Sequence, residues 1–305
     1  QGSQALGMLK TLGQMYTIVR QTIAEASEVL HLDLWHLMQE GPSDELNATH
    51  NTQPALLAAE VAIWRLWQAQ NGPTPVMMAG HSLGEYSALV CSESITYPEA
   101  VALVANRGRL MQEAVAPGQG AMAAILGLDD QEVRAACTEA AAGEIVQAAN
   151  FNAPGQVVIS GHTRAVERAC KLAKTAGARR TLSIPVSVPS HCDLMQPAAV
   201  KLAAYLNNIP IQAPKISVIH NVSVVCAEDP VFIRSQLEAQ IHSPVRWVET
   251  IKFMSSDGIK AFVEMGPGKV LTGLNKRILP DLPVWPVFDP QTLDQALKDL
   301  SNYGQ

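Results

Sequence analysis

Ser82 stands in the stretch GHSLG, with Gly80 two residues before it and Gly84 two residues after. A serine hydroxyl becomes a useful nucleophile only when a base within hydrogen-bond reach takes its proton. Glycines spaced around it mark a sharp strand-to-helix turn that exposes the oxygen and lets neighbouring backbone come close. The chain has eight histidines to choose from. His81 adjoins Ser82, but adjacent side chains on such a turn diverge, so it reads as packing or polar support. His191, in PVSVPSHCDLM, follows an approach stiffened by Pro185 and Pro189 and stands where a helix starts. That junction suits a base, and a capping or surface histidine is the alternative.

Arg107 is the third residue of interest. In the helical pattern over 97–116 it falls in line with Leu103, Val104, Leu110 and Met111, whereas Arg109 keeps company with Asn106, Gln112 and Glu113. An inward-facing guanidinium needs an anion, because an unpaired buried charge is too costly. The anion is either an internal Asp or Glu, or a substrate carboxylate, which the planar fork of arginine suits.

Those residues need elements to hold them. Val76 to Ala79 is a short apolar run that fits a buried strand, and Leu83 to Cys91 has helical spacing, so Ser82 falls on the turn between them. Residues 54–70 read as a helix with Pro54 in its first turn and Asn71-Gly72 closing it. From 121 the texture becomes strand, helix, strand, strand, helix, strand, with the Pro154-Gly155 turn between the two middle strands. That βαββαβ order is the ferredoxin-like unit. Beyond it helix and strand alternate again, with strands near 216–222 and 260–265 and helices near 193–207, 230–256 and after GPGK. The expected fold is α/β: a parallel-sheet, α/β-hydrolase-like large domain formed by residues 1–120 and 187–305, carrying a ferredoxin-like α+β subdomain over 121–186.

Composition narrows the class. A chain of 305 residues with 48% hydrophobic content can build a large core. A net charge of −6 lacks the basic excess of a nucleic-acid binder. The five cysteines are scattered without C-x-x-C spacing, which suggests neither a disulfide framework nor a metal site and fits a reducing, cytoplasmic setting. No apolar run approaches the roughly 18 residues of a membrane span, so no membrane partner is expected.

The stretches QGSQALGM, GHSLGEYSALV, NRGRLMQEAV, NFNAPGQVVISG, VSVPSHCDLM and EMGPGKVLTGLNKRI together resemble the malonyl-CoA:acyl carrier protein transacylases of bacterial fatty-acid synthesis, in order and over nearly the whole chain. The resemblance implies that Ser82 accepts the malonyl group, His191 is its base and Arg107 holds the malonyl carboxylate. It implies an oxyanion hole made by Gln1 and the Leu83 backbone N–H, and a histidine oriented by the backbone carbonyl of Gln240 in place of a triad acid. The implied partners are malonyl-CoA and acyl carrier protein, acting on a monomer with no cofactor and no metal. In two respects the sequence departs from the family: the apolar strand and glycine expected before Gln1 are not in it, and Ser223 stands where an aspartate is usual.

Two other readings share part of this pattern. An α/β-hydrolase esterase or thioesterase has the same turn, but its order Ser, Asp/Glu, His requires a usable acid, and Asp193 lies too close in sequence to His191 to support it from behind. A non-catalytic acyl-binding or docking module would not need Ser82, His191 and Arg107 together. Finally, Arg164, Arg168 and Lys171 recur at helical spacing, with Lys174, Arg179 and Arg180 nearby. This positive stretch is either a solvated helix face or a surface that steers an acidic carrier protein.

Overall fold

The computed structural model describes residues 2–185 and 188–303. Four helices come first: α1 (Lys10–Met15), α2 (Thr17–Leu30), α3 (Leu34–Glu40) and α4 (Ser43–Asn47). They are followed by α5 (Thr49–Ala69), β1 (Met77–Ala79), α6 (Leu83–Cys91) and α7 (Tyr97–Ala114). A compact stretch then contains β2 (Gly120–Leu126), α8 (Asp130–Ala141), β3 (Val146–Ala153), β4 (Gln156–His162), α9 (Thr163–Thr175) and β5 (Arg180–Ile184). The remainder holds α10 (Gln196–Leu206), β6 (Ser217–Ile219), α11 (Pro230–Gln240), α12 (Trp247–Ser256), β7 (Phe262–Met265), α13 (Val270–Ile278), β8 (Val284–Val287) and α14 (Pro290–Tyr303). The chain is a mixed α/β protein.

α5 is the central post of the larger part. Ala55 to Ala59, Ile63, Leu66 and Trp67 are all buried, the pattern of a helix surrounded on every side. It begins earlier than the Pro54 signal suggests, at Thr49, so Pro54 lies inside it. The Thr52 hydroxyl donates back to Leu46 O at 2.6 Å and Ala48 O at 3.1 Å, which ties the early start to the preceding turn.

The strands of this part also differ from expectation. In place of one parallel sheet there are two parallel pairs, β1 with β6 (Met77 opposite Ser217) and β7 with β8 (Phe262 opposite Val284). β1 is only partly buried, and Val76 just before it is exposed. Among the described residues each of these strands has one partner strand, and residues of β1 and β7 line a shared cavity.

The compact stretch forms a four-stranded antiparallel sheet in the order β3-β4-β2-β5. α8 and α9 pack on it through Ile125, Val133, Phe151, Val157 and Val166. α8 opens with a full capping box between Asp129 and Glu132. Its other end is closed by Arg168, which donates to Ala140 O at 2.8 Å and Ala141 O at 3.0 Å and pairs with Glu144 at 2.8 Å. Arg168 thus answers the orphan carbonyls of a helix end while part of its side chain stays exposed. Arg164, Lys171, Lys174, Arg179 and Arg180 remain exposed around it.

β3 joins the two parts. Phe151 N–H donates to Val245 O and Val245 N–H to Ala149 O, each at 2.9 Å, and a bulge between Ala148 and Asn150 re-aims the strand at this junction. Further along the same seam Arg277 donates to Pro154 O at 3.0 Å. Ser223, in the loop after β6, has a buried hydroxyl without a partner among the described residues.

Candidate active site

Ser82 occupies the turn between β1 and α6 with φ 52° and ψ −103°, a region that residues other than glycine rarely enter. The turn is this tight because strand and helix backbones nearly touch: a Cβ on Gly80 would collide with the carbonyl of Gly84. Gly84 is different, since a Cβ there would meet nothing within 4 Å. Only the first of the two glycines is demanded by sterics.

The serine oxygen lies 2.8 Å from His191 Nε2. His191 Nδ1 is 2.8 Å from the carbonyl oxygen of Gln240. A carbonyl can only accept, so Nδ1 carries the hydrogen and Nε2 is left bare to accept the proton of Ser82. His191 also has positive φ, at 64°, and its own N–H donates to Ile241 O at 3.1 Å, so the ring is held from its backbone as well. Burial first, and then the nearby Arg107 guanidinium, push its pKa down to about 3. The imidazole is neutral, the form a general base requires.

Arg107 projects from α7 into this cluster and is only 1% exposed. It donates from Nη1 to Gln53 Oε1 at 2.7 Å, and from Nη2 to Gln240 Oε1 at 3.0 Å and Ser82 Oγ at 3.2 Å. Its Nε has no partner, and none of the ion pairs among the described residues includes it. Of the two anions considered for it, an internal Asp or Glu is thus not in contact. Arg109, as its spacing indicates, faces out toward Asn106 and Glu113.

Leu83 is the first residue of α6, and its N–H has no acceptor among the described residues. Gln1 lies outside the described residues. His81 has a supporting place: Nε2 is 2.8 Å from Asn152 Oδ1, and the ring packs against Trp247 at 5.6 Å between centroids. A cavity of about 670 Å³ opens on Ser82, Arg107 and His191 and continues along the β1 and β7 edges.

Four participants escape a reading of the sequence alone. Gln53 is the first, through Arg107. The Gln240 side chain is the second, donating to Ser82 O at 3.0 Å and Glu85 Oε2 at 2.8 Å while accepting from Arg107. Glu85 and Asn221 are the others. Glu85 is fully buried in the first turn of α6 and accepts from His220 Nδ1 at 2.7 Å and Asn221 N at 3.0 Å. The only sequence signal for any of them is polarity within an apolar neighbourhood.

A neutral base touching a serine, with a free helix N–H beside it, suits acyl transfer through a serine ester. The acyl transferase domain profile matches residues 1–282. The malonyl CoA-acyl carrier protein transacylase of Salmonella typhimurium is 54% identical over 97% of this chain and 96% of its own length. Among solved structures, an acyl carrier protein S-malonyltransferase from Vibrio cholerae superimposes with a TM-score of 0.95 at 57% identity, covering 97% of this chain and 96% of that one. A malonyl-transacylase solved in complex with a type II PKS acyl-carrier protein gives a TM-score of 0.97 at 54% identity, over 98% and 97%. The chain belongs to the acyl transferase family and, within it, to the malonyl CoA-acyl carrier protein transacylases.

Two predictions follow from the local geometry. Gly80→Ala forces strand and helix apart and should cost about 3 kcal/mol in urea unfolding, whereas Gly84→Ala should cost nothing and gain up to about 1 kcal/mol from helix propensity. Equal effects at the two positions would refute the crossing. The second concerns His191. Its folded pKa is depressed to about 3 against an ordinary 6.5, so the unfolded chain binds the extra proton and stability falls as pH drops below 6.5. At pH 5 the loss from this residue is about 2 kcal/mol. His191→Gln should therefore flatten the decline in unfolding free energy between pH 7 and 5 by that amount, and an unchanged slope would contradict a buried neutral imidazole.

Proposed function

We propose that Ser82 is the nucleophile and His191 the base of malonyl transfer, with Arg107 binding the free carboxylate of the acyl group. The activity is that of the family: malonyl passes from malonyl-CoA to the phosphopantetheine thiol of acyl carrier protein, supplying fatty-acid synthesis. Ser82 Oγ attacks the thioester carbonyl while its proton moves to His191 Nε2. The tetrahedral intermediate collapses, and the CoA sulfur leaves with that proton. In the second half the carrier thiol gives its proton to the same nitrogen and attacks the serine ester, and Ser82 departs reprotonated.

The observation that carries this reading is the buried guanidinium 3.2 Å from the serine oxygen with no carboxylate on it. A fixed charge held only by neutral oxygens, two amide and one hydroxyl, has strong unused affinity for an anion. An esterase acting on uncharged acyl groups has no use for it. The oxyanion donors in this scheme are the Leu83 N–H and, by the family resemblance, Gln1. Gln240 orients the imidazole through its carbonyl, a role filled elsewhere by an acid.

The same reading extends to organisation. Residues 121–186 are a ferredoxin-like insertion in a hydrolase-like large domain of residues 1–120 and 187–305, and the β3-β4-β2-β5 order supports this. The free cysteines are compatible with a cytoplasmic setting, and no helix among the described residues is long and apolar enough to cross a membrane.

Incubation with malonyl-CoA should add one malonyl mass to the intact protein, and Ser82→Ala should abolish the increment while the fold persists. A malonylated Ser82→Ala protein would remove Ser82 from its role. Arg107→Ala should lower the preference for malonyl over acetyl donors by roughly 100-fold, since acetyl never uses the charge. Unchanged selectivity would reduce Arg107 to a structural cation.

A further inference from the structure

The geometry assigns to Asn221 the role of positioning residue for the nucleophile turn, clamping Ser82 in its strained conformation from both sides. This inference rests on Ser82 being the nucleophile. Asn221 Oδ1 accepts from Ser82 N–H at 2.7 Å, and its Nδ2 donates to Gly80 O at 2.7 Å. Both partners are backbone groups of fixed polarity, so the orientation of the amide is determined by them. One planar side chain thus bridges the residue before the turn and the residue at its apex, as a neighbouring strand would.

The clamp is itself held. Asn221 is fully buried, its N–H donates to Glu85 Oε2 at 3.0 Å, and its carbonyl accepts from Arg246 N–H at 3.2 Å. Glu85 belongs to α6, the helix that leaves the turn, so the acid that seats Asn221 moves with the nucleophile. Positive φ at a serine is costly and persists only where surrounding contacts impose it. The Ser82 carbonyl accepts from Gln240 Nε2 at 3.0 Å and from Glu85 N–H at 3.1 Å, but among the described residues the Ser82 N–H has no partner other than Asn221.

The arrangement has a consequence for the oxyanion. With the Ser82 N–H occupied by Asn221, the Leu83 N–H, which has no acceptor among the described residues, is a backbone donor beside the serine left open to substrate. Asn221 therefore sets both where the serine oxygen points and which amide faces the developing charge.

Substitution separates this role from simple packing. Asn221→Asp keeps the acceptor for Ser82 N–H but opposes the Gly80 carbonyl with an oxygen, so only the protonated acid can donate to it. The charged and titratable groups around the position are Glu85 of α6, His220 beside it, Arg246 at the start of α12 and, across Gln240, Arg107 of α7. Burial and the adjacent Glu85 raise the pKa of an acid placed here.

The measurement is the rate of malonyl-enzyme formation from malonyl-CoA, read by quenched intact mass, as a ratio to the unmodified protein at each pH. For Asn221→Asp the ratio should rise as pH falls from 8 to 5.5, approaching tenfold per unit above the new pKa, roughly as the protonated fraction does. Asn221→Ala should lose roughly 100-fold in acylation rate at every pH, with the half-saturating malonyl-CoA concentration little changed. A flat Asn221→Asp ratio, or Asn221→Ala within threefold of the unmodified protein, overturns the assignment. Should neither variant fold, amide exchange in the unmodified protein decides: Ser82 N–H slow and Leu83 N–H fast supports the clamp, and equal rates overturn it. Ser82→Ala run in parallel distinguishes failure of this inference from failure of the nucleophile itself.

Discussion

The site is organised around a charge that has no charged partner in contact among the described residues. Arg107 lies almost completely buried with two glutamine oxygens and a serine hydroxyl as its acceptors. Leaving a guanidinium so incompletely neutralised is expensive, and several neighbouring features act to hold it. Gln240 can turn its oxygen toward Arg107 only because its NH2 group finds Ser82 O and Glu85 Oε2 on the opposite side. Glu85 in turn supplies negative charge one amide removed from the cation, close enough to moderate it and too far to pair with it. A carboxylate placed directly on Arg107 would satisfy it more fully and would also fill the place of a substrate carboxylate.

The same charge acts on His191. Burial alone lowers the pKa of an imidazole, and a nearby guanidinium lowers it further. A triad acid behind His191 would offset both effects by favouring the imidazolium. The neutral Gln240 carbonyl fixes the tautomer and also favours the imidazolium, but by less than burial and the guanidinium oppose it. The absence of an acid behind the histidine and the presence of an unpaired arginine before it are thus two sides of one electrostatic design, in which the base stays weak and the anion site stays strong.

Much of this was legible from particular residues. The turn at Ser82 announces itself through GHSLG, and the inward direction of Arg107 follows from its place among Leu103, Val104, Leu110 and Met111. The place of Gln240 came from family resemblance, because a backbone carbonyl leaves no trace in residue type. Its side chain, with Gln53, Glu85 and Asn221, was illegible for another reason. Glu85 looks like an ordinary first-turn acid of a helix, and Asn221 like a loop residue after a strand, until tertiary contacts bring β6 beside the turn. The early helices α1 and α4 have six and five residues, too few for periodicity to show. The single parallel sheet expected for the larger part resolved into two pairs, since strands of three or four residues carry little alternation from which pairing could be read.

Position along the chain shows why the smaller sheet matters to the chemistry. His191 is carried on the segment just after β5, and nearby Asp193 is bound reciprocally by Gln147 of β3: Asp193 N–H donates to Gln147 Oε1 and Gln147 Nε2 donates to Asp193 Oδ2, each at 2.8 Å. His81, next to the nucleophile, is held by Asn152 of the same strand. β3 therefore touches the flank of the base and the flank of the serine, and through Val245 it is bonded to the larger part between α11 and α12. A strand bonded at three points along a few residues is a stiff ruler. It adds a common support to the flanks of Ser82 and His191, beside the direct holds on Ser82 by Asn221 and on His191 by Gln240 and Ile241.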